Sequence, residues 1–208
     1  MCIRDSHSQL VIAATVFVAI ASKFIIVWRR QHIFNPAAFG ALALSFTGLA
    51  DPAWWTVDAQ LLIPPLIVGT LVVMKLRRYT LVFCCLGSAV AVCLFGAWHL
   101  GLPVLASLPG FFLAWPMLFV AFFMLTEPFT TPGTKKLQAF YGALVGGLSG
   151  AVFFVSGLNL SPEAVLIIGN LAFYPFSLRQ KLYLTLKSSK HTKHTLSLIH
   201  ISEPTRPY

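Results

Sequence analysis

The sequence predicts an all-α, polytopic membrane helix bundle of about seven spans, the fifth of them broken, with a short strand-like stub after the last. Three observations carry that prediction. The chain is 57% hydrophobic and 10% charged, with a mean hydropathy of +0.80, far from the composition of soluble domains. Apolar runs near the ~20 residues that a spanning helix needs recur between short polar turns. The basic content of those turns alternates: Arg29-Arg30, none, Lys75/Arg77/Arg78, none, Lys135/Lys136, none, Arg179/Lys181. Seven spans, with the first residue outside and the end in the cytoplasm, satisfy the positive-inside rule at every turn. The formal charge of +9 then reads as loop charge facing lipid headgroups, and nucleic acid is not an expected partner.

Both ends look foreign to this bundle. Residues 1–6 (Met1-Cys2-Ile3-Arg4-Asp5-Ser6) resemble a translated transposase adapter, and residues 196–208 resemble the opposite adapter read in frame. Residues 7–179 are the expected membrane module, cut from a longer protein. Cys84, Cys85 and Cys93 fall in one apolar run without CxxC spacing or a histidine at ligand spacing, so they read as small core residues and no metal is expected.

Residues 9–28 form the first apolar run, with Lys23 close enough to its basic end to snorkel. Phe34-Asn35-Pro36 restarts a helix, because Asn caps free backbone N–H groups and Pro suits the first turn; small residues then run to about Ala50. Residues 51–58, with Trp54-Trp55 and two acids, read as an interfacial loop. The third span, from Leu61 to Met74, is expected to bend at Pro64-Pro65, and the fourth runs from Tyr79 to Trp98. Pro103, Pro109 and Pro116 interrupt the next stretch, which reads as a short piece followed by a fifth span ending near Thr126.

The sixth span carries Gly142, Gly146 and Gly150 at the spacing of a packing face, expected to lie bare in an isolated fragment and to leave it poorly stable. Ser161-Pro162-Glu163 is a helix start with cap, proline and an acid suited to the dipole, opening a seventh span to about Leu178. Residues 181–187 alternate polar and apolar like a strand, so residues 180–195 read as the start of a truncated cytoplasmic domain or as a basic tail.

Polar chemistry concentrates in two turns on the expected cytoplasmic side. At the fifth span's end, Glu127 stands among Thr126, Thr130, Thr131 and Thr134, followed by Lys135 and Lys136. These residues can simply finish a helix, with Pro128 stopping it and hydroxyls taking terminal carbonyls. They can also form a site for an anionic or polar guest, since interrupted spans line binding sites. Asn35-Pro36 is likewise a cap, or a helix N-terminus facing a phosphate or carboxylate. His32 and His99 are expected on opposite membrane sides and read as single interfacial histidines. Walker, dinucleotide-fingerprint, zincin and serine-elbow motifs are absent from the sequence, so the residues alone assign no reaction.

At Ser22-Lys23-Phe24, His32-Ile33-Phe34-Asn35-Pro36-Ala37-Ala38-Phe39-Gly40 and Phe123-Met124-Leu125-Thr126-Glu127-Pro128-Phe129-Thr130-Thr131-Pro132, the chain resembles a known membrane family. That family contains the RnfD-type membrane component of the Rnf electron transport complexes and its counterpart in the sodium-pumping NADH:quinone reductase. The resemblance covers about residues 20–178. It implies a flavin-carrying membrane component of two related helical halves, in a bacterial or archaeal cytoplasmic membrane. Such a component passes electrons from a cytoplasmic NADH or ferredoxin donor to a partner protein or quinone while Na+ or H+ crosses.

The implied cofactor is FMN or riboflavin, with Asn35, Thr126, Glu127, Thr130 and Lys135 as the residues facing it or a coupled ion. Family members attach one flavin to a threonine in a Ser-Gly-Ala-Thr context; Ser149-Gly150-Ala151-Val152 has valine at that place, so covalent attachment is not implied. The stretch after Lys181 is similar to the first strand of a ferredoxin-reductase-type domain, which implies a fused reductase carrying FAD. The competing class is a channel or transporter for a small polar solute or cation, with Glu127 setting cation preference.

Overall fold

The computed structural model describes residues 2–4, 9–28, 31–48, 51–53, 63–154 and 160–176. Helices dominate these residues: α1 (Gln9–Ile25), α2 (Pro36–Phe46), α3 (Ile63–Leu76), α4 (Tyr79–His99), α5 (Val104–Ala114), α6 (Met117–Phe119), α7 (Lys135–Phe154) and α8 (Pro162–Phe176). A π-helical turn, Val120–Met124, continues α6 without a break. Extended segments are short: β1 (Cys2–Arg4), β2 (Val27–Trp28), β3 (Gln31–His32) and β4 (Asp51–Ala53), with β1 antiparallel to β4 and β2 antiparallel to β3.

By length and composition, α4 and α7 are apolar enough to cross a membrane, whereas α1, α2, α3 and α8 are shorter apolar helices of 10–17 residues. Local chemistry explains why several helices stop short of the apolar runs that contain them. α1 ends at Ile25 because the chain folds back through the β2–β3 hairpin, in which Val27 pairs with His32. α2 closes at Gly48, whose φ of +67° is the left-handed conformation that glycine adopts without a Cβ clash. α3 starts at Ile63, so Pro64 and Pro65 occupy its first turn. First-turn residues have no intrahelical N–H bond for proline to remove, so both prolines are accommodated there.

The core is built on α4 and α7, which run parallel: Leu81 lies against Gly142, Cys85 against Gly146, Ala89 against Gly150, and Gly96 against Phe154. A Cβ at Gly146 would run into the Cys85 carbonyl oxygen and Ser88 Oγ, and one at Gly150 would stand 3.0 Å from the Ala89 carbonyl. Only bare backbone allows this approach. The glycine row expected to be bare in an isolated fragment is therefore already covered, by α4. Cys85 and Cys93 lie buried on that face, Cys84 is half-buried, and all three are free thiols.

α8 returns antiparallel to α7, with Gly169 against Val145 and the Phe173 ring 5.4 Å from Tyr141. The Tyr141 hydroxyl donates to Asn170 Oδ1, and both residues are buried. Ser161 Oγ accepts from the Ala164 N–H at 3.3 Å, as a cap should. Glu163 is wholly buried, because the first turn of α8 packs into the bundle along with Val165 and Leu166. α1 joins through α2, where a Cβ at Gly40 would come within 2.7 Å of Ala19 Cβ. The outer faces of α1 and α3 expose Phe17, Phe24, Ile67 and Leu71. The tryptophan loop at residues 54–58 and the strand-like stretch 181–187 lie outside the described residues.

Candidate functional site

The two motif-bearing turns, 89 positions apart, meet through one side chain. Asn35 Oδ1 accepts from the N–H groups of Ala37 at 3.0 Å and Ala38 at 3.2 Å, capping α2, while Nδ2 donates to the Met124 carbonyl at 3.2 Å. That carbonyl ends the π-turn, in which the Leu125 N–H reaches back five residues to Val120 O at 2.8 Å. Breaks of this kind leave carbonyls seeking donors and cluster at functional sites. Thr126 Oγ1 supplies a further donor, to Phe122 O at 2.8 Å and Phe123 O at 3.2 Å. The break follows Trp115-Pro116, which separates α5 from α6.

Glu127 follows at once, half-buried, with Oε1 3.7 Å from His32 Nε2; the pair is ionic when His32 is protonated. The His32 ring lies 5.1 Å from Phe129. Thr131 Oγ1 closes the turn by donating to Leu125 O at 2.8 Å and Glu127 O at 2.5 Å. A third turn is tied to the same place: Arg78, between α3 and α4, donates from Nη1 to Pro132 O at 2.7 Å, and Gln138 of α7 donates to the same carbonyl at 3.0 Å. Burial draws the Arg78 pKa below its usual value, yet a guanidinium stays charged at physiological pH, so the strut persists. The turns at residues 31–35, 77–78 and 125–134 thus gather at one end of the α4/α7 pair.

An open cleft of about 380 Å³ lies between these turns, lined by Lys23, Asn35, Val72, Phe123, Thr126 and Glu127 among others. Its size falls within the roughly 300–1,000 Å³ of small-molecule sites. Its apolar wall comes from Val72, Leu76 and Phe123, and its polar groups from the two turns and the last turn of α1. That division of apolar wall and polar edge can take a planar ring with polar edges. A second pocket of about 330 Å³ lies near the other end of α4 and α7, where His99 is its one ionisable lining residue beside Phe95 and Phe154.

Of the five residues singled out by sequence, Asn35, Thr126 and Glu127 line the cleft. Thr130 is buried, and its Oγ1 has no hydrogen-bond partner among the described residues, but it does not line the cleft. Lys135 lies exposed at the start of α7 and also does not line it. Sequence reasoning missed Lys23 as a cleft residue and His32 as the neighbour of Glu127. The Ser22-Lys23 and His32-Ile33 pairs flank the first basic turn, so their closeness in sequence to Asn35 was the available signal.

No protein-family model, curated protein or solved structure matches the chain.

Proposed function

We propose that the chain is the membrane module of a flavin-linked electron transfer system of the Rnf/Nqr kind. In this reading seven spans include the interrupted stretch from α5 through the π-turn, and electrons come from a cytoplasmic NADH or ferredoxin donor, with Na+ or H+ movement coupled to their passage. The observation that carries the reading is the convergence of both motif turns on one cleft through the Asn35–Met124 hydrogen bond. The parallel course of α4 and α7 supports the topology, since two spans leaving the same side must run parallel. The Arg78–Pro132 bond supports a shared cytoplasmic end for the basic turns.

FMN or riboflavin would sit against Val72, Leu76 and Phe123, with Asn35, Thr126 and Glu127 at its polar edge. The flavin supplies the redox chemistry when bound; the chain supplies a dry wall, a carboxylate and fixed carbonyl dipoles. A cation pathway through the interrupted span is the competing reading, motivated by Glu127 at the cleft. Titration of the detergent-purified protein with FMN and riboflavin, followed by fluorescence quenching, decides between them. Saturable quenching is expected for wild type and weakened in Glu127→Gln. Absence of saturable binding, together with Glu127-dependent cation flux into liposomes, would replace the flavin with the pathway.

A further inference from the structure

We infer that Lys23 is the anion contact of the cleft and selects a phosphate-bearing ligand, FMN over riboflavin. The inference rests on the flavin reading and deepens it. The cleft is lined by two charged side chains, Lys23 and Glu127, and they are treated differently. Glu127 has His32 beside it at 3.7 Å. Lys23 makes no ion pair and no hydrogen bond among the described residues.

Its surroundings leave that charge open to a ligand in the cleft. Lys23 sits in the last turn of α1, whose neighbouring Ile20, Phe24 and Ile25 are exposed hydrocarbon. An ammonium is a point-charge partner for phosphate, and one that lines a cleft without a counter-charge is open to an anionic ligand. A ligand that lays a flat apolar body on Val72, Leu76 and Phe123 and carries an anionic tail satisfies both parts of the cleft. Riboflavin supplies only the first. Lys135, the lysine that the sequence suggested for this role, is outside the cleft lining.

The test uses the full chain in detergent as wild type, Lys23→Gln and Lys23→Arg, titrated with FMN and riboflavin at low and high salt. Lys23 is exposed, so both variants are expected to unfold at the wild-type temperature. Wild type should prefer FMN, and Lys23→Gln should weaken FMN about tenfold to a hundredfold, the scale of one charge-assisted hydrogen bond. Riboflavin affinity should stay within about twofold, Lys23→Arg should keep the preference, and salt should weaken FMN alone. Equal binding of the two flavins by wild type, or an equal loss of both in Lys23→Gln, overturns the inference while leaving the flavin reading standing. Failure of wild type to bind either flavin overturns both. Lys23-dependent binding of short-chain phosphatidylglycerol, with FMN binding independent of Lys23, assigns the anion to lipid and also overturns it.

Discussion

Along the α4/α7 seam contact is made by deleting side chains, whereas among the turns around Asn35 and Glu127 contact is made by supplying polar ones. The seam has no room: the glycines at 142, 146 and 150 face α4 backbone, where a methyl group would meet a carbonyl. The turns have room to spare, including an open cleft of about 380 Å³, and are held by hydrogen bonds to carbonyls that the π-turn and Pro132 leave over. A seam of that kind responds first to volume, because even a methyl group has no place in it. The turns should respond to lost donors, and at Glu127 and Lys23 to charge, with little effect on the fold.

Substitution at the seam should give the largest effect. Gly146→Leu is expected to cost more than about 3 kcal/mol, a large fraction of a domain's stability, because the side chain must force α4 and α7 apart. Gly147→Ala, one position along, meets nothing closer than Val92 Cγ2 at 4.0 Å and should be neutral or stabilising by up to about 1 kcal/mol. Thermal unfolding in detergent reads both, and equal losses would mean that the seam lies on a different face of α7.

Asn35→Ala should come next, at about 2 kcal/mol, since it removes the α2 cap and leaves the Met124 carbonyl without its donor. Asn35→Asp keeps the cap acceptor and loses the donor, so it should fall between wild type and Asn35→Ala; if the two variants melt together, the bond to Met124 contributes nothing. Arg78→Ala should cost about 1 kcal/mol, because its half-buried strut to Pro132 can be partly replaced by water.

Glu127→Gln is expected to have the smallest effect on stability, under about 1 kcal/mol, as the contact with His32 is long at 3.7 Å and ionic only when His32 is protonated. Its effect on flavin or cation binding should be much larger. A variant that unfolds as readily as Asn35→Ala would show Glu127 to be structural.

Short-range chemistry was legible in the sequence: Asn35-Pro36 announced a capped helix, and Ser161-Pro162 another. Both depend on bonds within three residues, which composition and order determine. The glycine spacing announced a packing face but not its owner, because α4 offers no complementary pattern beyond small residues at Cys85 and Ala89. Long-range placement was not legible. Lys135 and Lys23 look alike as basic residues at helix ends, and only tertiary packing puts Lys23 in the cleft lining and leaves Lys135 outside it. Glu163 read only as an acid suited to the helix dipole, and nothing local says that the first turn of α8 packs inward.

The π-turn at Val120–Met124 has a bearing on how this protein can change over generations. A π-turn holds one more residue than the α-helical turn it replaces, and each helical residue advances the chain by about 100°. Loss of a single codon between Val120 and Met124 would let the turn relax to α-helix and keep Thr126 and Glu127 on nearly the same face, because the wide turn is what absorbs the extra residue. Phe123, which lies inside the widened turn and lines the cleft, would be the residue displaced. A one-residue deletion here thus alters the apolar wall of the cleft and spares its polar edge, and a length difference in this stretch is the difference to look for among descendants.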